Sequence, residues 1–293
     1  MLKGRLIDKL IDAFLIKYSL PSWLKPYIKE YLKRNNNSIK YVLTFVKYGR
    51  KKGKVLNNKV VLPNGVVFKK KHISHLLNLF YFGVIRMRNV SYLWSNVYLG
   101  NNILRLRFIN IADVENKRAI ALKNLIEGLN YSIDKNPPSE GMNNVFKYLE
   151  SLNDWNERLI AKEIILNYSY AIPFGYIFYR VFYPVSSEFM KNFGKSFNNH
   201  EPYELINKKE AENIIIDEKI EYEKLKELVE TLENYISISI DSEMKNAKDA
   251  NIYNEVLLLR DVAIAYPIFK IKELNPKFDF SYIIEKYKYN YKK

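Results

Sequence analysis

From position 113 to the C-terminus the apolar residues recur at helical spacing. This periodicity, more than any other feature, limits the folds open to the chain. Ala119, Leu122, Leu125, Ile126 and Leu129 form one stripe, with Asp113 as its candidate N-cap. The run Lys135-Asn136-Pro137-Pro138-Ser139 breaks the pattern. A second helix is predicted over 140–152. A third, long and aromatic, is predicted over 154–182, where Pro173 should kink or divide it. Residues 183–202, rich in Ser, Asn, Gly and Pro, read as a loop. Helical spacing returns over 220–235 and 244–264, while Ile236-Ser237-Ile238-Ser239-Ile240 alternates like a short strand. The tail, 282–293, is basic and rich in tyrosine.

The first third reads differently. Residues 2–34 suggest two short helices forming a packing appendage, the second opened by Pro21. Asn35-Asn36-Asn37-Ser38 is a linker. Beyond it, Asn57-Asn58 and Pro63-Asn64-Gly65 each sit between short β-branched runs, as hairpin turns do. A short helix is predicted over 72–82, with strands over 84–88 and 103–108. In Leu104-Arg105-Leu106-Arg107-Phe108 a strand would place both arginines on one face. The expected architecture is therefore α+β: an N-terminal helical extension (1–36), a small basic β-rich domain (37–112) and a larger all-α domain (113–293).

Charge gives the functional signal. The chain carries a formal net charge of +15. Residues 1–100 hold 20 Lys and Arg against 3 Asp and Glu, so the whole excess lies there. Residues 31–112 hold 16 basic side chains and no acidic one. Solubility alone does not exclude one sign from so long a stretch. A polyanion surface does, because each neutralised phosphate releases counterions. The groups placed for phosphate contact are Arg50, Lys51, Lys52 and Lys54, then Lys69, Lys70 and Lys71, then Arg105 and Arg107. An anionic membrane surface is the smaller alternative. There is no cysteine, hence no disulfide, thiolate metal site or cysteine nucleophile, which fits a cytoplasmic location. No run of about 18 apolar residues predicts a transmembrane helix, and the charges within 1–20 do not leave room for a signal-peptide core.

Familiar catalytic motifs are missing: there is no P-loop, dinucleotide fingerprint or nucleophile elbow. His72 and His75, spaced i, i+3, are better read as a packed pair than as metal ligands. His200 lies in a polar stretch with Glu201 and Glu204. Together with Glu140, which follows the double proline, His200 and Glu204 could hold a hard divalent cation for phosphodiester chemistry. The other reading is a loop histidine and a capping glutamate.

One segment carries a family likeness. Ile165-Leu166-Asn167-Tyr168-Ser169-Tyr170-Ala171-Ile172 resembles a helix of the CRISPR-associated spacer-acquisition integrases. Glu140-Gly141-Met142 followed by Tyr148 resembles that family's acidic helix start, and Arg118-Ala119 its linker helix. The resemblance implies a DNA-binding homodimer joined partly through β domains, with a small second protein of the adaptation complex as partner. It also implies an endonuclease or integrase using Mg or Mn, with ligands from a Glu, a His and an acidic residue. Glu140 matches the first. Lys191 stands where the histidine is expected, and a protonated lysine cannot ligate a cation. His200 fills that role only by realignment, and Glu204 falls near the acidic position. The competing expectation is a non-catalytic nucleic-acid-binding or scaffold protein.

Overall fold

The computed structural model describes residues 2–34, 54–56, 59–61, 67–134, 139–182 and 202–288. Helix α1 (Leu2–Lys17) turns through a short 3-10 segment (Ser22–Leu24) into α2 (Lys25–Arg34). Strands β1 (Lys54–Leu56), β2 (Lys59–Val61) and β3 (Val67–Phe68) pair antiparallel in sequence order. Then come α3 (Lys70–Val97), α4 (Asn102–Gly128), α5 (Glu140–Ser151) and α6 (Trp155–Leu159), which runs into a π-helix (Ile160–Phe182). The last elements described are α7 (Pro202–Ile216), α8 (Tyr222–Ser242), α9 (Met244–Asp249), α10 (Tyr253–Leu274) and α11 (Ser281–Lys288).

The α+β expectation is overturned: the fold is mostly all-α. The three strands have two or three residues each, and the described remainder of 37–112 is almost wholly two long helices. The two hairpin signals do fall between β1 and β2 and between β2 and β3. The β-branched and aromatic residues after them are what mislead. Val84, Val90 and Trp94 recur at helical intervals and are buried on α3, and Phe108 and Ile111 are buried on α4. Alternation over five residues yields to helical spacing sustained over 27 residues, and α3 and α4 bury each other. Asp113 accordingly lies within α4, which Asn101 caps instead by accepting from the Leu104 amide at 3.2 Å. Residues 236–240 belong to α8, and the expected loop gives way at 202 to α7. The long third helix divides at 159/160, and the π-helix continues past Pro173.

The core gathers around the π-helix and α10. Ile160, Ala161, Ile164 and Ile165 are fully buried, as are Leu259, Val262, Ala263 and Ile268. Helix α8 packs against α5 closely enough that a Cβ on Gly141 would meet the backbone of Ser239 and lie 2.7 Å from the Tyr235 carbonyl oxygen. The N-terminal pair rests on α10: the Tyr31 hydroxyl donates to Glu255 at 3.0 Å, and Trp23 stacks on Phe269. Lys25–Asp12 and Lys29–Asp8 ion pairs tie α2 to α1. Among the described residues no helix is long and apolar enough to cross a membrane.

Only 10 glycines serve the whole chain, and four helix ends do without one. Ser19, Asn130, Glu218 and Asn251 take positive φ of 52–58°. The residue after each donates back to the helix, as Leu20 does to Leu15 (2.9 Å) and Ile252 to Ala247 (2.8 Å). These are Schellman-type ends bearing side chains in the left-handed region.

Candidate functional site

Lys69, Lys70 and Lys71 are exposed around the first turn of α3. That turn contains no acidic residue, and Lys69 at the cap position makes no side-chain cap bond. The Lys70 ammonium lies 5.3 Å from the Tyr131 ring centre. Lys71 pairs with Asp249 at the end of α9, and His72 Nε2 lies 2.9 Å from the same carboxylate. Hydrogen bonds from His72 and Lys71 hold Asp249 down at a pKa of about 2. One turn on, His75 Nε2 lies 2.6 Å from Glu243 Oε2 and 3.2 Å from Asn246 Nδ2. The Glu243 hydrogen bond raises the His75 pKa. The two histidines thus share a helix face, each with its own carboxylate, and fasten α3 to α9 and to Glu243, which joins α9 to α8. Of the other basic residues marked in the sequence, Lys54 lies in β1, and Arg50, Lys51 and Lys52 lie outside the described residues.

Arg105 and Arg107 sit on α4, not on a strand. Arg107 is buried: its guanidinium donates to Asn207 Oδ1 from Nε at 2.7 Å, pairs with Glu210 at 2.6 Å and lies over the Trp155 ring. It holds α4 to α7 and α6. Arg105 is half-buried.

Glu140 is exposed at the first position of α5, after Ser139, whose hydroxyl accepts from the Met142 amide at 3.1 Å. Glu204 is on α7, paired with Arg118 at 3.0 Å. His200 and Lys191 lie outside the described residues. Among the described residues no group of three or more His, Asp or Glu side chains is arranged to hold a metal ion. Residues 165–172 form part of the π-helix, with Ile165, Tyr168 and Ser169 buried. The Ser169 hydroxyl lies 3.4 Å from Glu233 Oε1, and Glu233 Oε2 has no hydrogen-bond partner among the described residues. Burial pushes this carboxyl well above the usual range.

Sequence reasoning misses a buried charge cluster joining α4, α7 and the π-helix. Arg118 donates to Glu115 at 2.8 Å and pairs with Glu204, and Lys162 pairs with Glu163 at 2.5 Å. All five side chains are between 6 and 13% exposed. Burial raises the Glu115 pKa despite the opposing charges of Arg118 and Lys162. Burial also works against the charge on Lys162, but Glu163, Glu204 and Glu115 outweigh it and hold its pKa above the ordinary value. A signal was legible: Lys162-Glu163 interrupts an apolar run, and Glu115/Arg118 share a face whose neighbours Ala119 and Leu122 point inward.

No family model, curated protein or solved structure matches the chain.

Proposed function

We propose that the chain is a cytoplasmic protein that binds nucleic acid, DNA first of all, through the basic surface of its first third. The observation that carries this reading is the stretch 31–112, with 16 basic side chains and no carboxylate. Lys59, Lys69, Lys70 and Lys71 are exposed within it. Lys69 and Lys70 stand at the positive end of the α3 dipole with no carboxylate paired to them among the described residues, beside Lys71, which Asp249 holds; cations at that end cost free energy in the unliganded protein. A phosphate at that end relieves the cost, since lysine ammonium groups and the amides of Lys70 and Lys71 can donate to it. In the sequence Arg50, Lys51, Lys52 and Lys54 add to the same excess of positive charge. Lysines act on phosphates as point charges, so the binding is to the backbone and indifferent to sequence.

The test is a gel-shift titration with linear and branched duplexes of several sequences. Replacing Lys69, Lys70 and Lys71 by Gln should weaken binding alike on all of them. Binding unchanged by that variant and by neutralisation of 50–54 refutes the proposal.

The integrase reading rests on the 165–172 motif. It adds Mg- or Mn-dependent scission through Glu140, His200 and Glu204, a homodimer, and a small second protein as partner. The same titration run with Mn²⁺ tests it: scission lost in Glu140→Ala supports the reading. Absence of scission, or scission that survives Glu140→Ala, discards it and leaves a non-catalytic binding or scaffold protein.

A further inference from the structure

Helices α3 and α4 form an antiparallel hairpin. Arg88 reaches Asn116, Tyr92 reaches Asp113, and the Trp94 and Phe108 rings touch, so the pairing closes toward residues 98–101. The closed end has an unusual composition. Charged residues make up 27% of the chain, yet residues 89–104 contain none. The same end exposes large aliphatic groups. Ile103 is 73% exposed, Leu99 64% and Val97 53%, with Leu93 and Leu106 beside them. Trp94, Phe108 and Trp155 pack behind this tip and fix its shape.

Arg88 and Arg105 bound the charge-free run, and neither pairs with a carboxylate among the described residues. Asp113, beside Arg88 on the hairpin, accepts from the Tyr92 hydroxyl at 3.2 Å, and three carboxylates on the elements packed behind the tip are engaged. Glu150 pairs with Arg86, Glu210 pairs with Arg107, and Asp154 accepts from amides of α6. An apolar, uncharged tip rimmed by arginines matches a surface that is apolar beneath and anionic above. We propose that the hairpin tip docks on an anionic lipid bilayer, Leu99 and Ile103 entering the acyl boundary while Arg88 and Arg105 meet headgroup phosphates. A second copy of this chain fits less well, because tip on tip would bring the same four arginines together. Helix α3 is about 40 Å long, so the lipid contact lies at the opposite end of the hairpin from Lys69, Lys70 and Lys71. The two surfaces can be occupied at once.

Vesicle sedimentation of the full chain tests this, with phosphatidylcholine alone and with phosphatidylcholine mixed with phosphatidylserine. The wild-type chain should bind the mixed vesicles and bind the neutral ones more weakly. Leu99→Asn/Ile103→Asn should lose about tenfold or more of that binding. Its urea midpoint should match wild type, since both side chains already meet water. The Lys69, Lys70 and Lys71 to Gln variant should keep its vesicle binding, which separates this surface from the one proposed for nucleic acid. The absence of cysteine allows a second measurement. A polarity-sensitive fluorophore on Leu99→Cys should shift to the blue on mixed vesicles, and the same label on Lys59→Cys should not. Failure of wild type to bind the mixed vesicles overturns the proposal. So does binding that survives the tip variant, binding abolished by the lysine variant, or a label at 99 that stays in water. A wild-type dimer dissolved by the tip variant would assign the tip to a second copy instead.

Discussion

Replacing Arg118 by Ala removes one of the two cations of a buried cluster and leaves two carboxylates, Glu115 and Glu204, without the guanidinium that lies 2.8 and 3.0 Å from them. With the three side chains only 8 to 13% exposed, water cannot replace it cheaply. Breaking a buried pair by removing one partner costs about 3–5 kcal/mol. For a chain of this size that should lower the urea midpoint by roughly 1–2 M at neutral pH. The deficit should also depend on pH. Burial already holds the Glu115 pKa above its unfolded value, so between the two values the folded chain binds more protons. Stability therefore rises as pH falls through that window. Without Arg118 the Glu115 value climbs further and the window widens upward, so the gap to wild type should narrow from about pH 7 to about pH 5. Urea unfolding of both proteins at the two pH values measures this. A loss below about 1 kcal/mol, or a gap that does not narrow, would show that solvent reaches the cluster and that its charges are not bound by burial.

Three further substitutions probe other parts of the fold. Gly141→Ala should cost about 1–3 kcal/mol, because the new methyl meets α8 backbone that cannot give way; the urea midpoint reads it. Ser19→Gly should stabilise by about 1 kcal/mol, since φ of 52° strains a side chain but not glycine; thermal unfolding checks it. Glu233→Gln removes a buried carboxyl whose pKa is raised in the folded state. That carboxyl weakens the fold as pH rises above its unfolded value, so urea unfolding at about pH 5 and about pH 7 should show the variant losing less stability than wild type.

Much of the helical half could be read from the sequence because its period is long. The stripe of Ala119, Leu122 and Ile126 is buried on α4, and the stretches 140–152 and 220–235 form α5 and part of α8. The two hairpins were legible from their turn residues. The α3–α4 pair was not, because Val84 to Arg88 and Leu104 to Phe108 alternate over windows too short to tell a strand from a half-buried helix. That ambiguity also displaces Arg107, which spacing sets on an exposed basic face and the fold commits to Asn207 and Glu210. Of the candidate ligands, Glu204 is the partner of Arg118, a contact 86 residues apart that no local pattern encodes. Asp249 and Glu243 likewise reach His72 and His75, 177 and 168 residues away in sequence.

The most direct test of nucleic-acid binding is the salt dependence of duplex affinity, measured for the wild-type chain and for the Lys69, Lys70 and Lys71 to Gln variant. Each phosphate contact contributes about −0.9 to the slope of log K against log salt. The slope for wild type should be steeply negative, and flattened by up to about 2.7 in the variant, with the same change on every sequence tried. A shallow wild-type slope, or a variant slope that coincides with it, would contradict the assignment of this basic surface to nucleic acid.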